Sequence, residues 1–228
     1  MKLTKAIALS LAALVAASAI AGCGDQKKEA KAPADKKEIT VGITSGYSEQ
    51  VMDFVAKKAE KEGLKVNLKT FGDYVTPDAA LAAGEIDLNS YQHGPYLEAY
   101  NEKNGTKLVS IGNTYLAPLR IYSNKVTDLK DVPDGAKVSI PNDPSNGGRA
   151  LLLLDKKGLL KLKEGIDPTK AVVGDIVDNP KHLEILELEA PQLPRSLDDV
   201  AISVIIAGYA KAASLDTKTA LATEDNTS

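Results

Sequence analysis

The chain has 228 residues, with 28 lysines and arginines against 31 aspartates and glutamates, so its formal net charge is −3. This length allows one large domain or two small lobes. The acidic balance argues against a nucleic-acid partner, which needs a basic surface. The chain contains one cysteine and two histidines. An internal disulfide is therefore excluded.

The first residues are typical of an exported protein. Two early lysines precede an apolar run over residues 6–21, which predicts a signal peptide over residues 1–22. This run is shorter than the ~20 residues of a membrane-spanning helix. Residues 20–23 resemble a bacterial lipobox, so we interpret Cys23 as a lipid-attachment site. A buried structural cysteine is the alternative. Residues 23–38 are charged and rich in alanine, which predicts a flexible tether to the outer face of a membrane.

The first part of the folded region alternates between strand and helix patterns. Strands are predicted at 39–43, 64–70 and 86–88, and helices from Ser48 to Gly63, at 78–83 and at 95–102. The side chains expected on the buried face of the first helix are Val51, Phe54, Val55 and Ala59. Ser48 and Thr76 are expected to cap the first and second helices. Strand–helix–strand order with short connections predicts a parallel sheet.

The second part continues the α/β pattern. Further strands are predicted at 108–111, 119–123, 138–140, 183–188 and 200–207, and helices from Ala150, from Ser196 and at 209–215. Residues 113–118 are interpreted as a crossover between two lobes. The lobes are expected to cover 39–118 and 119–207, and residues 208–228 are expected to return toward the first lobe.

Residues 89–96 combine two tyrosines, a histidine and several amide or hydroxyl side chains directly after a predicted strand. In open α/β sheets, ligands bind beyond the carboxyl ends of the strands. Aromatic rings beside a few hydrogen-bonding groups suit a small ligand that is partly apolar. The alternative is a loop whose tyrosines pack on the domain. The residues of this stretch leave both interpretations open.

A polar stretch at 141–149 also lies between a predicted strand and a predicted helix. Its glycines allow close approach of a ligand, and a helix N-terminus favours an anion. Arg149, expected in the first helical turn, could bind a carboxylate through two N–H groups. A cation is unfavourable at a helix N-terminus, so Arg149 should have an acidic partner. That partner is either an internal aspartate or glutamate or the carboxylate of a ligand.

Catalysis is not expected. His93 and His182 share no spacing that is typical of metal ligands, and we interpret His182 as a surface residue. The sequence lacks the Gly-x-Ser-x-Gly pattern of a nucleophile elbow. Residues 145–148 lack the spacing and the lysine of a phosphate-binding loop. No cofactor and no metal are therefore expected.

Several segments together carry a family resemblance. The lipobox and the four segments given next resemble the NlpA/MetQ lipoproteins, the methionine-binding components of ABC importers. The segments are 71–77 (FGDYVTP), 89–97 (NSYQHGPYL), 141–154 (PNDPSNGGRALLLL) and 188–195 (LEAPQLPR). The resemblance runs from Cys23 to the end of the chain. It implies a two-lobed periplasmic-binding-protein fold of type II, which closes over one amino acid and delivers it to a permease and ATPase complex.

The resemblance also implies which residues bind the ligand, L- or D-methionine or a close relative. The expected ligand-binding residues are Tyr74, Tyr91, His93, Tyr96, Asn142, Asn146 and Arg149. The first four would surround the thioether side chain. Arg149 would pair with the α-carboxylate, with the two asparagines in support. In this arrangement the ligand is the acidic partner of Arg149.

The sequence departs from the family pattern in three places. Ile206 stands where the family has an asparagine near the head group of the ligand, and a lost polar partner costs about 1–3 kcal/mol. This corresponds to roughly ten- to a hundred-fold in affinity. Residues 46–49 also differ, and the last strand and helix of the family are expected to be absent. Either the sequence is truncated at its end or the first lobe lacks this element. Ile206 favours, as the alternative, a degenerate paralogue or one that binds another small amino acid or a short peptide.

Overall fold

The computed structural model describes residues 36–225. The predicted signal peptide, Cys23 and most of the predicted tether lie outside the described residues. From Lys37 onward, the described residues belong to one compact unit. Within residues 36–225, every helix is too short or too polar to cross a membrane.

A parallel sheet forms the first part of the fold. Its strands and the helices between them are β1 (Glu38–Thr44), α1 (Tyr47–Lys61), β2 (Lys65–Phe71), α2 (Thr76–Ala82), β3 (Leu88–Ser90) and α3 (Gly94–Asn104). The strand order is β2-β1-β3, and β1 pairs in parallel with both neighbours. The parallel sheet that the strand–helix–strand order predicts is therefore confirmed.

A mixed sheet forms the second part. The elements are β4 (Arg120–Tyr122), β5 (Lys137–Pro141), α4 (Pro144–Lys156), β6 (Lys161–Leu162), β7 (Ile176–Asp178), β8 (Glu184–Leu188), β9 (Ile202–Ile205), α5 (Ala207–Ala212) and β10 (Ala222–Thr223). The strand order is β10-β4-β9-β5-β8. β5 runs parallel to β8 and β9, whereas β4 is antiparallel to β9 and β10. β6 and β7 form a separate antiparallel pair.

The buried apolar side chains are divided unequally between the two sheets. The larger cluster surrounds β9, which is buried along its whole length, and includes the inner face of α4 with Leu151 and Leu154. The first sheet has a much smaller cluster of Val41, Ile43 and Met52. The second sheet therefore gives the more rigid support to the residues that it carries.

The buried face of α1 differs from the prediction. Phe54 is 70% exposed and Val55 is 39% exposed, whereas Ser48 and Met52 are buried. The hydroxyl of Ser48 donates to the carbonyl of Ser90, which turns this side of the helix toward β3. Phe54 lies two residues beyond Met52, roughly half a turn around the helix, and therefore faces outward. The N-cap is Gly46, so the cap predicted at Ser48 is also wrong.

The predicted cap of α2 is wrong as well: the N-cap is Val75, and the carboxylate of Asp73, two residues earlier, bonds the start of the helix. Its Oδ1 accepts the N–H groups of Val75 and Thr76, both at 2.7 Å. Thr76 is already helical, and its hydroxyl donates to Asp73 Oδ2 at 2.5 Å. One oxygen of this carboxylate thus accepts two N–H groups at the start of α2, and the other accepts the hydroxyl of Thr76.

Two further predictions fail in the second part of the chain. The strand predicted at 108–111 is not formed, and Val109 and Ile111 are 77% and 78% exposed. Alternating residues need a neighbouring strand to pair with. In addition, α4 begins at Pro144, because Asp143 caps it by accepting the N–H of Asn146 at 2.9 Å. Arg149 therefore lies in the second turn of α4, not in its first.

Candidate functional site

Four tyrosines form an aromatic cluster beyond the ends of the strands. The ring of Tyr74 lies 5.4 Å from Tyr91, 5.9 Å from Tyr96 and 5.0 Å from Tyr209, between centroids. Tyr74 follows β2, Tyr91 follows β3, and Tyr209 lies on α5 just after β9. The structure thus brings together the three tyrosines that the sequence predicts and adds a fourth from the second sheet.

One backbone carbonyl organises this aromatic cluster. The hydroxyls of Tyr91 and Tyr96 both donate to the carbonyl oxygen of Tyr74, at 2.7 Å and 2.9 Å. The hydroxyl of Tyr209 donates to the carbonyl of Gly72 at 3.4 Å. Burial raises the pKa of all four phenols. The cluster is therefore uncharged, and its rings offer apolar faces.

His93 links the aromatic cluster to the second sheet. It is the N-cap of α3, and its Nδ1 accepts the N–H of Tyr96 at 3.2 Å. Nε2 must therefore carry the hydrogen, and it donates to Oδ1 of Asn146 at 3.0 Å. Burial is the largest cause of a lowered pKa of His93; the bond to Asn146 opposes it, and Arg149 reinforces it. The imidazole is thus a neutral donor at this position.

Arg149 is held by an internal ion pair. Its Nε and Nη2 donate to the two carboxylate oxygens of Glu224 at 2.9 Å and 2.5 Å, and these side chains are only 17% and 9% exposed. Nη1 donates to Oδ1 of Asn146 at 2.9 Å. Nη2 also donates to the carbonyl of Ala117 at 3.4 Å. Of the two acidic partners that the sequence leaves open, the structure provides the internal one.

Asn146 is the junction of these contacts. It is 2% exposed, and its Oδ1 accepts from both His93 and Arg149. Its Nδ2 donates to both carboxylate oxygens of Asp143 at 3.0 Å. Every hydrogen-bonding group of this side chain is thus used, so its amide orientation is fixed. We call the set of Asp143, Asn146, Arg149 and Glu224 the charged network.

Asn142 does not join the charged network in the described part of the chain. Its side chain is exposed, and its backbone N–H donates to the carbonyl of Leu188 at 2.9 Å. This bond continues the pairing of β5 with β8 by one residue. Asn142 therefore extends the sheet, whereas Asn146, four residues later, reaches the site.

Two residues of the site are missing from the sequence-based prediction. Tyr209 could have been found, because it lies just beyond the carboxyl end of β9, where ligands bind in such sheets. Glu224 had no comparable signal. It is 75 residues from Arg149 along the chain and reaches it only because β10 pairs with β4. Ile206, the other departure, is buried at the N-cap of α5.

The site thus combines an aromatic cluster and a charged network that meet at His93 and Asn146. Within residues 36–225, no group of three or more His, Cys, Asp or Glu side chains is placed to hold a metal ion. Aromatic faces beside a balanced pair of charges suit a small ligand with one apolar end and one zwitterionic end. The sheets define an α/β protein, and its candidate site joins an aromatic cluster to a charged network.

Comparison with known proteins agrees with this class. The family described as NlpA lipoprotein matches residues 39–228. The D-methionine-binding lipoprotein MetQ of Salmonella typhi is 49% identical over 206 residues, which cover 88% of this chain and 73% of the relative. MetQ of Escherichia coli (strain K12) is 48% identical over 204 residues, with the same coverage. The chain therefore belongs to the NlpA lipoprotein family.

Solved structures support the same conclusion for the fold. A nutrient-binding protein from Burkholderia cenocepacia, bound to methionine, is 51% identical to this chain, with a TM-score of 0.81. The matched region covers 83% of this chain and 80% of that protein. A methionine-binding protein, MetQ, is 48% identical with a TM-score of 0.82 and covers 84% and 80%. The predicted α/β fold class and the predicted family are confirmed. These relatives are named for binding, not for a reaction.

Proposed function

We propose that this chain is a lipid-anchored, extracytoplasmic receptor that captures methionine, or a close relative of it, for an ABC importer. Its membership of a lipoprotein family supports the anchor. The names of its relatives, which are about half identical to it, support the ligand. The single observation that carries the proposal is the bond between His93 and Asn146, because it joins an aromatic cluster to a charged network.

The aromatic cluster fits the side chain of methionine. A thioether is polarisable and makes favourable contacts with aromatic ring edges, worth about 0.3–1.5 kcal/mol each. The rings of Tyr74, Tyr91, Tyr96 and Tyr209 are neutral and close together, as described above. In the proposal, His93 adds a polar edge that separates the thioether from the zwitterionic end of the ligand.

The charged network fits the head group of an amino acid. Arg149 offers a guanidinium for the α-carboxylate, and Asn146 fixes its orientation. Glu224 places a carboxylate beside it, so a zwitterion meets both signs of charge. This arrangement assigns the ligand's ammonium to Glu224, because Ile206 has only hydrocarbon to offer there. The α-carboxylate of the ligand must share Arg149 with Glu224. Affinity therefore depends on how much of the ion pair between Arg149 and Glu224 has to break when the ligand binds.

Closure and delivery complete the proposal. Residues 39–118 and 119–207 are proposed as two lobes that close over the ligand, and residues 208–228 as the segment that returns toward the first lobe. The separate sheets and the cross-contact of His93 with Asn146 support this division. The closed receptor would dock on a permease and ATPase complex. Cys23 would carry the lipid anchor, and intact-mass measurement of the membrane-extracted protein checks this modification.

Titration calorimetry of the soluble chain after Cys23 tests the proposed ligand. We expect binding of at least one methionine enantiomer, with a negative heat-capacity change from buried apolar surface. Norleucine is a matched control, because it keeps the shape and the head group but lacks sulfur. Absence of binding to L-methionine, D-methionine and short methionine peptides would contradict the proposal.

A paralogue with altered specificity is the second candidate, and Ile206 is the observation that favours it. A polar side chain at this position could form a hydrogen bond with the ligand's head group, whereas isoleucine cannot. If this residue has changed the specificity, the Ile206→Asn variant should gain affinity for methionine. Ile206→Val is the matched control, because it stays apolar. Equal methionine affinity in all three proteins would remove Ile206 as the cause.

A further inference from the structure

A buried carboxyl group lies directly behind the aromatic cluster. Asp78, in the first turn of α2, is 0% exposed. Its Oδ1 accepts from Nδ2 of Asn89 at 2.7 Å and from Nε2 of Gln92 at 2.6 Å. Its Oδ2 is buried, and none of the described residues donates to it. An ionised carboxylate would therefore keep one buried oxygen unsatisfied, which is costly.

The nearest hydroxyl cannot supply the missing hydrogen without breaking another bond. The side chain of Tyr91 is close enough to Asp78 for the two groups to shift each other's pKa. However, the single hydrogen of the Tyr91 hydroxyl is already donated to the carbonyl of Tyr74 at 2.7 Å. The oxygen of that hydroxyl still has lone pairs with which it can accept. Oδ2 of Asp78 therefore lacks a donor, while the hydroxyl of the neighbouring Tyr91 can still accept.

We propose that Asp78 is a positioning residue that keeps a proton on Oδ2 and donates it to the hydroxyl of Tyr91. In this form the carboxyl group accepts at one oxygen and donates at the other, as an amide does. It then holds Asn89, Tyr91 and Gln92 together, and it leaves the hydrogen of Tyr91 free to bond Tyr74. Asp78 touches no ligand in this arrangement. Its effect on binding rests on the proposed function, whereas its protonation does not.

The charges around Asp78 are consistent with a protonated form. Burial is the largest cause acting on this carboxyl group and raises its pKa, and the contacts with Asn89, Tyr91 and Gln92 act in the opposite direction. The first turn of a helix also favours the ionised form modestly, but α2 has only seven residues. The net direction is a raised pKa.

The elements packed against α2 bring no cation to Asp78. The titratable groups that face it are phenols: Tyr91 before α3, and Tyr96 and Tyr100 on α3. β3 has no titratable residue. β1 has only Glu38, which is bonded to Lys65 and Asn67 at the far end of the strand. β2, whose Phe71 packs against Ala80 of α2, carries Lys69, but this cation lies over the ring of Phe71 and beside Glu85. None of these groups compensates a negative charge at Asp78.

Nuclear magnetic resonance of the ligand-free protein tests the protonation directly. The chain is labelled with carbon-13 at aspartate carboxyl groups, and the Asp78 signal is identified by its loss in Asp78→Asn. We expect its titration midpoint to lie clearly above the ordinary value of 3.8. A midpoint at or below that value would overturn the proposal. This measurement needs no ligand, so it decides the matter even if methionine does not bind.

Two substitutions at Asp78 separate positioning from simple packing. Asp78→Asn keeps one acceptor and one donor, so it should retain methionine affinity, whereas Asp78→Ala should lose about tenfold or more. The wild type should bind more weakly as the pH rises past the raised pKa of Asp78, because Tyr91 must then turn from Tyr74 toward the carboxylate. Asp78→Asn should not show this loss as the pH rises. Equal losses in both variants would overturn the proposal.

Stability provides a second reading with a matched control. A carboxyl group whose pKa is raised by folding stabilises the folded state. This stabilisation is complete when the pH lies below the pKa of the group in the unfolded chain. It is lost as the pH rises through the pKa of the group in the folded protein. Asp78→Asn should remove this part of the pH dependence. Asp53→Asn, an exposed change of the same chemistry on α1, should leave it unchanged. Identical pH profiles for wild type and Asp78→Asn would count against the proton on Asp78.

Discussion

In the aromatic cluster, Tyr91 and Tyr96 are held by hydrogen bonds to a single carbonyl, that of Tyr74. In the charged network, by contrast, Arg149 and Asn146 lie on α4, whose inner face belongs to the largest core of the molecule. The first arrangement depends on a few neutral bonds of about 1 kcal/mol each. The charged network depends on a nearly buried ion pair. Removing one partner of this pair leaves an uncompensated charge, which costs stability.

This difference indicates how the two parts of the site divide their roles. The charged network is supported by the core and is internally satisfied, so it behaves as a part of the fold. In the aromatic cluster, Tyr209 belongs to the largest core and Tyr74 packs against it, whereas Tyr91 and Tyr96 lie outside that core. The geometry of Tyr91 and Tyr96 can therefore adjust with little loss of stability. Substitutions in the charged network should therefore unfold the protein, whereas substitutions in the aromatic cluster should mainly change affinity.

Removing one partner of the ion pair should have the largest effect. The variant Arg149→Met leaves Glu224 nearly buried and without its cation, which should lower the free energy of unfolding by about 3–5 kcal/mol. In the double variant Arg149→Met, Glu224→Gln, no uncompensated charge remains, so most of this stability should return. Urea denaturation measures both variants. Methionine binding should be lost in both, because neither has a guanidinium.

The double variant decides whether Arg149 serves the fold or the ligand. If stability returns but binding does not, the charges of Arg149 and Glu224 are needed for the ligand and not for the fold. If the single variant is as stable as the wild type, the ion pair does not support the fold, and the contrast between the two parts of the site fails. If the double variant binds methionine as the wild type does, the proposed role of Arg149 in binding is wrong.

A close backbone contact between the two parts of the chain should have the next largest effect. Gly46, before α1, has φ +101°, and a Cβ atom there would lie 2.3 Å from the carbonyl oxygen of Gly208 on α5. Gly46→Ala should therefore cost roughly 1–3 kcal/mol in backbone strain and should also displace α5 with Tyr209. Gly72→Ala is the matched control, because a Cβ there meets nothing within 4 Å. Thermal unfolding of both variants measures the difference.

Local patterns in the sequence account for much of the fold. Strand β1 and the buried strand β9 are visible as short apolar runs, and the parallel first sheet follows from element order. The failures arise where tertiary contacts decide. The bond from Ser48 to Ser90 rotates α1, and the cap at Asp143 moves the start of α4 forward. Val109 and Ile111 alternate like a strand but have no strand beside them.

The site was predictable to a similar extent. Tyr91, His93 and Tyr96 follow a strand or begin the next helix, so local patterns single them out, whereas Tyr74 was expected only from the family resemblance. The partner of Arg149 was not predictable in the same way. Glu224 reaches it only through the pairing of β10 with β4, and no local pattern encodes a contact across 75 residues.

A smaller effect is expected from the hydroxyls of the aromatic cluster. Tyr96→Phe keeps the ring and removes one bond to the carbonyl of Tyr74, which should cost about 0.5–1.5 kcal/mol of stability. Tyr91→Phe should behave similarly. The double variant should lose more than the sum, because the two hydroxyls share one acceptor and each can partly replace the other. A loss as large as that of Arg149→Met would contradict the contrast between the two parts of the site.

The two histidines should give the smallest effects, with opposite signs. Burial lowers the pKa of His93, so its contribution to stability is present above the unfolded value of 6.5 and is lost as the pH falls toward the folded value. The bond to Asp134 raises the pKa of the exposed His182, so its contribution is present below 6.5 and is lost as the pH rises through the folded value. The urea midpoint is measured between about pH 5 and pH 8. In His93→Gln, the midpoint should no longer fall toward the acid end of this range. In His182→Gln, it should no longer fall toward the alkaline end. Because protonated His93 can no longer accept the N–H of Tyr96 at Nδ1, methionine affinity should fall together with the urea midpoint at low pH. It should not follow the fall of the midpoint at high pH. If His93→Gln and His182→Gln change the fall of the urea midpoint at low pH equally, His93 does not act through the contact that joins the aromatic cluster to the charged network.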